Sequence, residues 1–108
     1  MPEPEWIPIV PIAEIEPDDA TGVVHDGHEY AIFAISGTFH VTDALCTHNQ
    51  ANLCDGYLDG HIIECPLHQG CFDVRTGAPK GAPVTEALRT YESRVEGEHL
   101  EIRPQVDG

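Results

Sequence analysis

Short apolar or alternating segments, each stopped by a glycine turn, run through most of the chain. Residues 29–35 and 38–42 flank the pair Ser36 and Gly37, which is typical of the two-residue loop of a β-hairpin. No segment combines the length and the 3.6-residue apolar period of a long helix. The pattern therefore predicts a chain built from antiparallel strands.

Two further strand predictions lie at the ends of the chain. Residues 89–95 and 98–102 surround Gly97, and the second segment alternates apolar and charged side chains as a half-buried strand does. Residues 6–10 also have strand character, but Pro8 cannot donate to a sheet ladder. We expect a C-terminal hairpin and an N-terminal strand at the edge of a sheet.

The segment 45–79 has a different texture from the strands on either side. It contains all four cysteines of the chain and several Asp-Gly or Thr-Gly turn pairs. It therefore looks inserted between two groups of strands.

Composition places the chain among ordinary globular proteins and excludes some partners. The 108 residues are 41% hydrophobic and 22% charged, which suits one domain with a modest core. Nineteen acidic against five basic residues give a net charge of −14. Nucleic acid and anionic membranes bind basic patches, so a basic protein partner fits better, unless the acidity only keeps the protein soluble.

The sequence offers no feature of export or membrane insertion. No apolar run approaches the ~18 residues that span a bilayer, and the first residues lack the basic and apolar regions of a signal peptide. We expect a cytoplasmic protein. Four cysteines without export also favour metal or redox chemistry over a disulfide scaffold.

Two short motifs each supply one thiol and one imidazole. Cys46 and His48 form Cys-x-His, and Cys65 and His68 form Cys-x-x-His. Such donors suit a structural zinc ion or an iron-sulfur cluster with mixed ligands. A zinc knuckle usually pairs its cysteines at Cys-x2-4-Cys, which is absent here, so the spacing favours two irons with the sulfurs on one and the imidazoles on the other.

These motifs resemble the signature of Rieske [2Fe-2S] proteins. The match extends to the stretches 55–60 (Asp-Gly-Tyr-Leu-Asp-Gly), 63–70 (Ile-Glu-Cys-Pro-Leu-His-Gln-Gly), 72–74 (Phe-Asp-Val) and 82–84 (Ala-Pro-Val), the last similar to the family's proline loop. The chain is most similar to the small Rieske ferredoxins of bacterial ring-hydroxylating dioxygenase systems, particularly the naphthalene-dioxygenase type. The likeness covers about residues 6–102.

The resemblance implies the fold and the ligands. It implies an all-β, antiparallel Rieske fold in a single domain, residues 1–108, with a basal β part at about 1–44 and 80–108. A small cluster-binding subdomain would comprise about 45–79. One [2Fe-2S] cluster would be held by Cys46 and Cys65 on the inner iron, and by His48 and His68 on the exposed iron, where electrons leave.

The resemblance also indicates a low reduction potential. High-potential members of the family have an additional disulfide between the ligand loops, and the matching positions here are Ala51 and Leu67. Those members also aim hydroxyl groups at the cluster sulfurs from positions where this chain has Gly70 and Phe72. Fewer donors stabilise the reduced cluster less, so we expect a potential of about −150 mV.

The implied function is electron transfer, without catalysis on a substrate. Single electrons would pass from a flavin-containing, NAD(P)H-dependent ferredoxin reductase to the Rieske non-haem iron terminal oxygenase of an aromatic-ring-hydroxylating dioxygenase. We expect a monomer whose acidic side chains guide docking, with candidates at Asp55, Asp59, Glu64 and Asp73. Two alternatives are a small Rieske-type subunit of an assimilatory reductase and a zinc-stabilised structural β module.

We assign no role in electron transfer to the other cysteines, histidines and aromatic residues. Cys54 and Cys71 are interpreted as small buried residues, with a disulfide between them as the alternative. Five histidines lack ligand spacing: His25, His28, His40, His61 and His99. Five aromatic residues are expected to pack in the basal core: Trp6, Tyr30, Phe33, Phe39 and Tyr91.

Overall fold

A computed structural model describes residues 5–45, 52–65, 70–81 and 87–104. These residues contain ten β-strands and two short 3-10 turns, Ile12–Glu14 and Leu53–Asp55. In chain order the strands are β1 Ile7–Pro11, β2 Ala20–His25, β3 His28–Ile35, β4 Thr38–Asp43, β5 Tyr57–Asp59, β6 Ile62–Glu64, β7 Cys71–Asp73, β8 Pro79–Gly81, β9 Thr90–Glu96 and β10 His99–Pro104.

Six strands form the larger sheet, in the order β1-β10-β9-β4-β3-β2 with every neighbouring pair antiparallel. The predicted hairpins are confirmed: β3 and β4 are joined by Ser36 and Gly37, both at positive φ, and β9 and β10 turn at Gly97. Strand β1 lies at the edge of the sheet, as its proline content predicts. The all-β antiparallel fold class is therefore confirmed.

Four short strands form the smaller sheet, in the order β5-β6-β7-β8. All of its pairs are antiparallel, and it begins at Tyr57 and ends at Gly81. It falls largely within the segment that the sequence sets apart. The boundaries of a basal part and a cluster-binding subdomain stay a prediction.

Strand β3 is buried on both faces, which explains why its sequence does not alternate between apolar and polar residues. The run from Ala31 to Ala34 is buried throughout. Ala31 and Phe33 belong to one core cluster, whereas Ile32 and Ala34 belong to a second one on the opposite face of the strand. A continuous apolar run is the expected pattern for a strand covered on both faces.

The first of these clusters joins the two sheets. It brings Ala31 and Phe33 of β3 against Ile63 of β6 and Phe72 of β7, and its full membership is Ala31, Phe33, Ala44, Leu53, Ile63, Cys65, Phe72, Val74 and Leu88. At ~1.5–3 kcal/mol for each large apolar side chain buried, this shared core holds the small sheet against the large one.

Trp6 does not pack in the basal core, contrary to expectation. It is only partly buried, and the guanidinium groups of Arg94 and Arg103 each lie 4.5 Å from the centre of its ring. Both arginines also form ion pairs, Arg94 with Glu101 and Arg103 with Glu92. A cation–π stack at the sheet surface therefore fixes the start of β1.

Candidate metal centre

Cys65 is the predicted ligand whose position the structure describes; Cys46, His48 and His68 lie outside the described residues. Cys65 follows β6 directly, has 2% relative exposure and belongs to the core that joins the sheets. Its backbone N–H donates to the carbonyl oxygen of Gly70 at 2.6 Å. The two ends of the second motif segment are therefore held together at the base of the β6–β7 hairpin.

The residues on either side of the first motif, Cys46-x-His48, are also held together. Leu45 and Asn52 form an isolated antiparallel bridge, and the N–H of Leu53 donates to the carbonyl of Ala44 at 2.7 Å. Ala44 and Leu53 belong to the same core cluster as Cys65. Both motif segments therefore start and end on one common core.

A third segment reaches the same core cluster through Leu88. The proline loop at 82–84 lies outside the described residues, but the N–H of Leu88 donates to the carbonyl of Gly77 at 2.8 Å. Gly77 has φ +79°, and a Cβ there would lie 2.2 Å from the carbonyl oxygen of Leu88. Only glycine permits this contact, so the chain after the proline loop is tied to the connection between β7 and β8.

The observed chemistry of Cys65 fits a cluster ligand. Its sulfur-bearing side chain is buried at the point where a hairpin closes, which suits a thiolate shielded from water by an apolar shell. Within the described residues, no group of three or more His, Cys, Asp or Glu side chains is arranged to hold a metal ion. The described part of the chain thus offers no competing site to the two motifs.

Cys54 is a free thiol, so it is not bridged to Cys71. Burial, followed by the nearby carboxylates of Asp55, Asp19 and Glu29, raises the pKa of Cys54 to about 11. A thiol of this pKa stays protonated at neutral pH and is a poor metal ligand. The sequence alone predicts a small buried residue at Cys54, whereas the structure shows it half-buried against the shared core.

Histidines outside the motifs contact other side chains. His40 of β4 and His61 of the β5–β6 turn have ring centres 5.7 Å apart in an edge-on contact, and burial lowers the pKa of His40. His28 forms a hydrogen bond to Asp43. The sequence shows no spacing signal for these contacts, because their partners lie far apart along the chain.

The candidate docking carboxylates differ in exposure. Asp55 and Asp59 are exposed and Glu64 is half-buried, so these three remain candidates. Asp73 is buried, and its carboxylate accepts hydrogen bonds from the backbone N–H and the guanidinium of Arg75 at 2.8 to 3.1 Å. Asp73 therefore stabilises the turn after β7 and is not available for guiding a partner.

The Asp73–Arg75 contact predicts a pH-dependent contribution to stability. Hydrogen bonds from Arg75 lower the pKa of Asp73 to about 2, against 3.8 for the ordinary carboxyl group. A lowered folded-state pKa gives stability that is present above pH ~4 and is lost as the pH falls toward 2. We expect Asp73→Asn to reduce the free energy of unfolding at pH 7 by about 1 kcal/mol.

Denaturant unfolding of both proteins between pH 7 and pH 2 measures this difference. It should shrink as the pH falls through the window between the two pKa values. A difference that stays constant down to pH 2 would contradict an ionised Asp73 in the folded protein. Asp59→Asn, at an exposed position of the same sheet, serves as the control.

Comparison with known proteins decides the family. Residues 5–92 match the family described as Rieske [2Fe-2S] domain. The chain belongs to the Rieske [2Fe-2S] family. This Rieske domain is 47% identical over 103 residues to the ferredoxin component of the naphthalene 1,2-dioxygenase system of Pseudomonas putida, with 95% of each chain covered.

Solved structures agree with the sequence match. The ferredoxin of Sphingomonas yanoikuyae B1 superposes with a TM-score of 0.85 at 36% identity, covering 94% of this chain and 100% of the other. A ferredoxin in the oxygenase–ferredoxin complex of carbazole 1,9a-dioxygenase gives a TM-score of 0.84 at 30% identity, covering 94% and 97%.

The Rieske assignment identifies the cofactor and distinguishes an electron carrier from an enzyme. The cofactor of this protein is a [2Fe-2S] cluster, so the alternative of a zinc-stabilised module is not supported. Its relatives are ferredoxin components of dioxygenase systems, so it is an electron carrier rather than an enzyme. No helix within the described residues is long and apolar enough to cross a membrane.

Proposed function

We propose that this Rieske protein carries single electrons from a flavin-containing, NAD(P)H-dependent ferredoxin reductase to the terminal oxygenase of an aromatic-ring-hydroxylating dioxygenase. The observation that carries the proposal is the similarity, over 95% of each chain, to a ferredoxin component of a naphthalene 1,2-dioxygenase system. The protein acts as a cytoplasmic monomer that meets its two partners in turn.

Four side chains form the proposed ligand set. The thiolates of Cys46 and Cys65 would hold one iron, and the imidazoles of His48 and His68 would hold the other. The bound cluster supplies one-electron redox chemistry. The protein supports it with a buried Cys65 and with two motif segments that start and end on the shared core.

The environment of the second motif supports a low reduction potential. Gly70 and the ring of Phe72 are both buried beside this motif, and neither has a side-chain hydrogen-bond donor. Donors to the sulfurs stabilise the reduced, more negative cluster, so their absence lowers the potential. A potential at the low end of the Rieske range suits a carrier that accepts electrons originating in NADH.

Reconstitution of the electron-transfer chain tests the proposal. The holoprotein, mixed with a flavin ferredoxin reductase and NADH, should be reduced and should then support turnover by a naphthalene-type oxygenase. Omitting the protein should abolish product formation. A colourless protein without iron and acid-labile sulfide, or a holoprotein that the reductase cannot reduce, would contradict the assignment.

Salt dependence is the second readout of this reconstitution. With a net charge of −14, docking on a basic partner is accelerated by long-range attraction. Raising the salt from 0.01 M to 0.3 M shortens the screening length from about 30 Å to below 10 Å. We expect the rate of electron delivery to fall at least several-fold. A rate that does not change with salt would mean that the acidic residues serve solubility and do not guide docking.

A further inference from the structure

A carboxylate at the end of β4 joins three strands immediately before the first motif. One oxygen of Asp43 accepts a hydrogen bond from the hydroxyl of Tyr91 at 2.5 Å and lies 2.7 Å from Nε2 of His28. The Tyr91 hydroxyl and His28 Nε2 are themselves 3.3 Å apart. Because these side chains belong to β4, β9 and β3, the contact fixes the last residue of β4 from both sides.

The backbone at the same point is held as firmly as the side chain. The N–H of Asp43 donates to the carbonyl of Arg89 at 3.0 Å, and the N–H of Ala44 donates to the carbonyl of Glu29 at 3.1 Å. The Glu29 carboxylate accepts a hydrogen bond from the side-chain amide of Asn52 at 3.2 Å. The residues on either side of the first motif are thus connected to β3.

The aromatic surroundings make this arrangement rigid. The ring of Tyr30 lies between the other two, with ring centres 4.6 Å from His28 and 5.1 Å from Tyr91. Tyr91 is buried, and burial together with its bond to Asp43 raises the pKa of its hydroxyl. Tyr91 therefore keeps its proton at neutral pH and donates a hydrogen bond to Asp43.

We infer that Asp43, Tyr91 and His28 are positioning residues that hold the first motif in the geometry needed by the cluster. Asp43 precedes Cys46 by three residues, and the intervening Ala44 is hydrogen-bonded on both sides. Because the backbone at Asp43 and Ala44 is held in place, the chain that follows it can place Cys46 and His48 in fewer positions. This inference rests on the proposed ligand set.

The charge of Asp43 has a second consequence for the cluster. Asp43 comes three residues before the proposed ligand Cys46, and its carboxylate is held by Tyr91 and His28. Negative charge close to a cluster opposes its reduction. Asp43→Asn removes the charge but keeps an oxygen that can accept from Tyr91. The midpoint potential of this variant should therefore be more positive than that of the wild-type holoprotein.

The test compares two tyrosines of the same aromatic group. Tyr91→Phe removes the hydroxyl bonded to Asp43, and Tyr30→Phe removes a hydroxyl outside that network. In the holoprotein, Tyr91→Phe should change the EPR g values of the reduced cluster. It should also lose the visible absorbance of the cluster roughly tenfold faster in the presence of a chelator, the ratio expected for a lost hydrogen bond to a charged group. Tyr30→Phe should behave as the wild type.

A role confined to the stability of the large sheet predicts a different result. Both variants would then have lower melting temperatures but wild-type EPR spectra, midpoint potentials and rates of cluster loss, and this outcome overturns the inference. If Tyr91→Phe does not fold, Asp43→Asn decides by its EPR g values and its rate of cluster loss, and wild-type values of both overturn the inference. A wild-type protein without a Rieske spectrum refutes the proposed function instead, so the two failures are distinguishable.

Discussion

Replacing His48 or His68 with cysteine is expected to abolish or strongly alter the rhombic EPR signal of the reduced protein. Each substitution exchanges a neutral imidazole for a thiolate, which adds a negative charge to one iron. The difference of several hundred millivolts between Rieske and all-cysteine clusters follows from such an exchange. A variant that still assembles a cluster should therefore have a much lower midpoint potential, measured by voltammetry, and should no longer oxidise the reduced reductase.

A matched control uses a cysteine outside the motifs. Cys54 lies in the 3-10 turn after the first motif, and its raised pKa keeps it protonated at neutral pH. Cys54→Ser should retain the EPR spectrum, the iron content and the potential of the wild type. An unchanged spectrum in either histidine variant, or loss of the cluster in Cys54→Ser, would refute the proposed ligand set.

The sequence is most informative where structure depends on short segments. Glycine at the β3–β4 and β9–β10 turns, and proline in the N-terminal strand, predict two hairpins and an edge strand that the structure contains. The two Cys/His motifs also limit the cofactor to a zinc ion or an iron-sulfur cluster, and their resemblance to the Rieske signature favours the cluster. These features are local, so their physical causes can be identified without knowledge of the fold.

Features that depend on distant contacts were not predictable. Asp73 resembles an exposed turn residue in sequence, but its burial depends on how β7 packs in the folded protein. Trp6 resembles a core residue, but two arginines from the other end of the chain cover its ring at the surface. The contact of Asp43 with Tyr91 joins residues 48 positions apart, with no pattern in the sequence to indicate it.

Gly56 lies between the residues that follow the first motif and those that precede the second, so a larger side chain there should have a large effect. Its N–H donates to the carbonyl of Leu53 at 2.9 Å, just after the first motif. A Cβ at Gly56 would lie 2.0 Å from the carbonyl oxygen of Glu64, the residue before Cys65. Both contacts are with backbone atoms, which cannot rotate away as a flexible side chain can.

Gly56→Ala should therefore push the two motif segments apart as well as destabilise the fold. Forcing a methyl group into a closed site costs about 1–3 kcal/mol, and backbone neighbours place this case at the upper end. For a domain of this size, that loss lowers the melting temperature by roughly 10 °C or more. We also expect a clearly lower iron and sulfide content per chain, because Cys65 follows the displaced residue directly.

Gly37→Ala separates this effect from the general cost of replacing a glycine. Gly37 has φ +82°, so alanine there is strained by about 1 kcal/mol, but no other atom lies within 4 Å of the added Cβ. Gly37→Ala should bind a full complement of iron and sulfide and show only a small decrease in melting temperature. If Gly56→Ala retains iron as well as Gly37→Ala does, the contact between Gly56 and Glu64 does not control the spacing of the ligands.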